Sequence, residues 1–124
     1  MLNEKELIKV QAFLKRAQAL YPTQQYSFSM SEKNKLFNRQ YNLQNQDKIE
    51  IMKSLCAEDC VAIRKNDNCR YPDSDVFVFI KSVEVESYGE TEKIKLYIKD
   101  YIIEQDRLES VIVISFHEEG LYED

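Results

Sequence analysis

Three apolar runs with a period of two, VFVFIKSVEV (Val76–Val85), IKLYIKDYII (Ile94–Ile103) and VIVISF (Val111–Phe116), follow one another with only short links between them. The links, centred on SYGETE and EQDRLES, are too short for the crossover that parallel neighbours need, so the runs predict hairpins and an antiparallel meander. Alternation then sorts the side chains. In the middle run Ile94, Leu96, Ile98 and Ile102 point one way, and Lys95, Tyr97, Lys99, Tyr101 and Ile103 the other. In the last run Ile112, Ile114 and Phe116 share a face, opposite Val111, Val113, Ser115 and His117. With the bulkier set of each strand packed inward, Tyr97, Lys99, Ser115 and His117 meet on the uncovered face.

Upstream the period changes to that of helices. Leu7, Val10, Leu14 and Ala17 predict a helix from Glu4 to Tyr21, with Asn3 as N-cap and Pro22 as the stop. TQQYSFSM follows, where Tyr26, Phe28 and Met30 alternate like a short strand. Ser31 opens a second helix carrying Leu36, Phe37 and Tyr41, and a third runs from Asn45, as N-cap, to Leu55. Cys60–Lys65 reads as a short strand, and Asn66–Asp75 as a loop dense in Asn, Asp, Pro and Ser. The 124 residues suit one domain, helical over 1–58 and sheet-forming over 59–119. The expected fold class is α+β, with N-terminal helices packed on one face of an antiparallel meander.

Composition removes several functions. No run of about 18 apolar residues exists to span a membrane. MLNEKELIKV carries charge where a leader needs an apolar segment, so a cytoplasmic location is expected. Cys56, Cys60 and Cys69 are spaced C-x3-C-x8-C, which is not a recognised finger even with His117 as a fourth ligand. Isolated thiols and no metal are expected. Two glycines, Gly89 and Gly120, cannot build a phosphate loop, which excludes nucleotide-cofactor folds. Residues 1–70 hold 12 Lys/Arg against 8 Asp/Glu, whereas residues 71–124 hold 5 against 14. Nucleic-acid binding must therefore use a local basic site. The same asymmetry suits a partner protein docked on one side.

His117 is the single histidine, and imidazole exchanges a proton near neutrality. Tyr97 and Lys99 share a strand face beside it. RNA cleavage by the ribose 2′-OH needs a base for that hydroxyl, a cation for the phosphorane charge and an acid for the departing 5′ oxygen. The three side chains meet those needs. A solvated strand face ending in a surface histidine fits the same residues, as does a small non-catalytic module that docks proteins through its acidic sheet half. Phe77 and Phe79 read as strand packing.

VFVFIK (76–81), LYIK (96–99) and VIVISFHEE (111–119), in that order, resemble the C-terminal half of the MqsR family of type II toxins, whose closing strand reads V-[VI]-[VI]-S-F-[HK]-E. SLCAEDCVAI (54–63) is similar to the stretch that precedes the family sheet, so the likeness covers about residues 50–119. It implies a RelE-like fold and a metal-independent, cofactor-free endoribonuclease acting on single-stranded mRNA, neutralised by a cognate antitoxin. By position, Tyr97 matches the family tyrosine, His117 the Lys/His of the closing motif and Lys99 the lysine after the tyrosine. Lys81 matches the basic residue ending the first long strand. Ala62 stands where the family carries a lysine, with Arg64 the nearest cation. The implied roles are catalysis by His117, Tyr97 and Lys99, and substrate binding by Lys81 and Arg64.

Overall fold

Helix α1 (Glu4–Leu20) begins where its end groups are satisfied: Glu6 N–H donates to the Asn3 side chain at 2.8 Å, and Asn3 N–H donates to the Glu6 carboxylate at 3.0 Å. Its stripe of Val10, Phe13, Leu14, Ala17 and Leu20 is buried. The structure, a computed structural model, describes residues 2–66 and 74–120. Ser31 caps α2 (Glu32–Tyr41). Helix α3 (Asn45–Lys53) is capped by Gln44 rather than the expected Asn45, and it stops short of Leu55. That one-residue shift puts Asp47 where its carboxylate accepts the Gln44 N–H, at 2.9 Å.

The sheet comprises β1 (Tyr26–Phe28), β2 (Cys60–Lys65), β3 (Asp75–Ser87), β4 (Glu90–Gln105) and β5 (Leu108–Glu118), in the order β1-β5-β4-β3-β2. Strands β2 to β5 form the antiparallel meander expected. Strand β1 corrects the rest of that expectation, because it pairs with β5 in parallel and makes the sheet mixed. Both long hairpins close on two residues with positive φ, Tyr88 (53°) with Gly89 (80°), and Asp106 (53°) with Arg107 (67°). Such turns match the strand twist and let β3, β4 and β5 run past the predicted ends. The fold is α+β, with three helices on one face of the sheet. The Asn66–Asp75 loop, with Cys69, lies largely outside the described residues, and Asp75 already belongs to β3.

Phe77, Phe79, Leu96, Ile98, Val111, Val113 and Phe116 supply the sheet side of one core with α1 and α2. Phe13 stacks on Phe77 with ring centres 4.1 Å apart, and Phe37 meets Phe116 edge-on at 6.1 Å. Strict alternation fails in β5. Lys99 pairs with Ser115 but Asp100 pairs with Val113, leaving Ile114 as an extra residue in a bulge. Val111 and Val113 therefore join Phe116 in the core. Ser115 and His117 turn to the other face.

Candidate functional site

The face away from the helices carries Tyr97 opposite His117, and Lys99 opposite Ser115. The expected neighbours are together, and the bulge, not simple alternation, is what brings them there. The Tyr97 and His117 rings stack, 5.5 Å between centres and 23° between planes. His117 Nδ1 lies 3.1 Å from the Glu118 carbonyl, which can only accept. Nδ1 is thus the protonated nitrogen, and the lone pair of a neutral ring lies on Nε2. The expectation of an open imidazole is corrected: His117 is 1% exposed and Ser115 3%, while Tyr97 and Lys99 are half-buried. Glu118 does not tune the ring through its carboxylate either. That group lies on the helix side, 3.4 Å from the Tyr41 hydroxyl, which donates to Glu92 at 3.1 Å. Burial, and then the Glu92 hydrogen bond, push the Tyr41 phenol up to about 12.

Beside the stacked pair a groove of 410 Å³ crosses the same face, lined by Arg64, Lys65, Val76, Lys99, Tyr101 and Ile112 among others. Three cations and no carboxylate line it among the described residues. Arg64 reaches the face by pairing opposite Val76, as Lys99 does opposite Val78. A chain of phosphates would find cations from β2 to β4 along this groove, and Lys99 adjoins Tyr97 and His117.

Lys81 is not part of this face. It shares the parity of Phe77 and Phe79 in β3, so it projects on the helix side, where Nζ lies 3.4 Å from Asp59 Oδ2. Its expected substrate role is therefore withdrawn. Of the candidate thiols, Cys56 is exposed and Cys60 buried, and burial pushes the Cys60 thiol up to about 11. Among the described residues no three His, Cys, Asp or Glu side chains gather as metal ligands, and no helix is long and apolar enough to cross a membrane.

Two buried polar residues, Asn34 and Asp100, are not signalled by any motif. Asn34, 2% exposed in the first turn of α2, donates to the Ser29 and Ile114 carbonyls at 2.9 Å and accepts the Phe116 N–H at 2.9 Å. It takes the place of a neighbouring strand where β1 has ended, and it pins the bulge on both sides. Spacing does signal Asn34, which stands three residues before Phe37 and seven before Tyr41 on the buried stripe. Asp100 is the second. It is fully buried on the helix side, neither carboxylate oxygen has a hydrogen-bond partner, and burial raises it well above the ordinary carboxylate range.

No family model, curated protein or solved structure matches the chain.

Proposed function

We propose that this chain is a cytoplasmic, MqsR-family type II toxin with a RelE-like fold, a metal-independent endoribonuclease that cuts single-stranded mRNA and is held in check by a cognate antitoxin. One observation carries the reading: a phenol, an ammonium and an imidazole in register on one sheet face, continuous with a groove whose charged lining, among the described residues, is cationic. The motif resemblance in residues 76–81, 96–99 and 111–119 supports it independently. In this mechanism the 2′ oxygen attacks phosphorus as His117 Nε2 takes its proton. Lys99 stabilises the phosphorane charge, the P–O5′ bond breaks, and the Tyr97 hydroxyl protonates the departing 5′ oxygen. Arg64 and Lys65 hold flanking phosphates. Because the imidazole is covered, the reaction requires Tyr97 to swing off the ring as RNA enters. The test is incubation of purified protein with single-stranded RNA in EDTA. New ends carrying a 2′,3′-cyclic phosphate, formed far more slowly by His117→Ala, support the reading; intact RNA overturns it.

The burial of His117 also favours a second reading, a non-catalytic protein-binding module. A groove of 560 Å³ between the α2–α3 region and the β3–β4 hairpin holds Asp47, Glu50, Glu84 and Glu86 beside the fully exposed Tyr88. Salt-sensitive association with a basic protein, unchanged by His117→Ala, would favour that reading.

A further inference from the structure

Strand β2 ends the sheet, and no described backbone hydrogen bond occupies its outer edge. Such an edge is a template for one more strand. Two features say what kind. At its start, Leu2, Leu7, Ala57, Cys60 and Val61 line an apolar hollow of 430 Å³ with Glu58 on the rim. Val61 sits at the break in the β2–β3 register and is 47% exposed, as though an apolar partner were missing. At its far end Arg64 and Lys65 are exposed. An incoming strand is therefore asked for apolar side chains at one end and carboxylates at the other. Glu58 repels the reverse orientation.

We infer that the β2 edge docks an extended acidic segment of a partner protein, which adds a sixth strand, fills the hollow beside Val61 and pairs its carboxylates with Arg64 and Lys65. A second copy of this chain fits poorly. Paired antiparallel, its own Arg64 and Lys65 would arrive at the apolar hollow, and the irregularity at Val61 would interrupt the ladder at both ends. Arg64 and Lys65 also line the groove on the open face, so the docked segment draws two cations away from it. This last consequence rests on the RNA reading; the docking itself does not.

The probe is an eight-residue capped peptide with valines in one half and aspartates in the other, with its valine–lysine counterpart as control, each mixed with the whole chain. Amide hydrogen exchange should slow at residues 61–65 with the acidic peptide only. Val61→Asp should abolish that protection, and Lys65→Glu should weaken binding roughly fivefold, the upper range for one exposed ion pair. Equal binding of both peptides, protection elsewhere, no binding at millimolar peptide, or self-association through β2 seen as a rising mass with concentration would overturn the proposal. Competition with a fluorescent oligouridine tests the link to the groove separately. Protection of β2 without displacement of the RNA keeps the docking edge and removes only its effect on RNA.

Discussion

Replacing Asp100 by asparagine keeps the shape and removes the titration, so the variant reads how the core treats a carboxyl group. Asp100 lies between Phe77 and Val113 in the sheet, with neither oxygen hydrogen-bonded. An isolated charge there has no compensation, so the folded state holds the proton. The sign follows. The folded group titrates above its unfolded value of about 3.9. Between the two values the folded chain binds more protons than the unfolded one, and stability falls as pH rises. Below about pH 3.9 the penalty is absent, and above the folded value it is complete. Within the window it grows by about 1.4 kcal/mol per pH unit. A 124-residue chain unfolds with an entropy near 0.26 kcal/mol/K, so each unit corresponds to roughly 5 °C in Tm. Paired thermal melts of wild type and Asp100→Asn from pH 4 upward should diverge at that slope, the variant becoming the more stable. A difference that stays flat with pH would refute the reasoning, because it would mean that Asp100 ionises in the folded protein as readily as in the unfolded one.

Asn34→Ala should cost about 2–4 kcal/mol in urea unfolding, since it leaves the Ile114 carbonyl and the Phe116 N–H without partners; the Phe116 amide should lose its exchange protection first. Arg107→Gly should stabilise by about 1 kcal/mol, because glycine meets the φ of 67° without the clash an L side chain suffers; chemical denaturation measures it. RNA cleavage should fall roughly 10²- to 10⁴-fold with His117→Ala. Lys81→Ala should leave the rate unchanged, since that ammonium is committed to Asp59 on the opposite side of the sheet; single-turnover cleavage assays separate the two outcomes.

Which features could be read from the chain follows from how local their causes are. Period-two patterning and short links depend on neighbours in sequence, and they yielded β3, β4, β5 and their hairpins. The same parity already held Lys81 beside Phe77 and Phe79, and Asp100 between Ile98 and Ile102. Both charges belonged with the core by that rule. For Lys81 the motif position and the parity disagree, and the fold follows parity; for Asp100 parity is the one local signal, set against the cost of burying a carboxylate among isoleucines. The parallel partner β1 was not legible, since three residues of pattern do not say which strand they join. Nor was the cover over His117, which depends on rotamers and packing far along the chain.

The bulge at Ile114 links these particulars to the site. Unbroken alternation would carry Ser115 and His117 to the face of Val111 and Val113, and those two valines are in the core. The imidazole would then be buried among α1 and α2, and Phe116 would point away from Phe37. One inserted residue reverses both. It holds because Asn34 satisfies the Ile114 carbonyl and the Phe116 N–H where no strand continues alongside. Alternation alone puts the histidine on the open face only by sending Val111 and Val113 there with it, and those two valines are in the core. A buried amide from a different element, some eighty residues away in sequence, decides that it faces Tyr97. Any chemistry on the open face depends on that helix residue as much as on the side chains that would perform it.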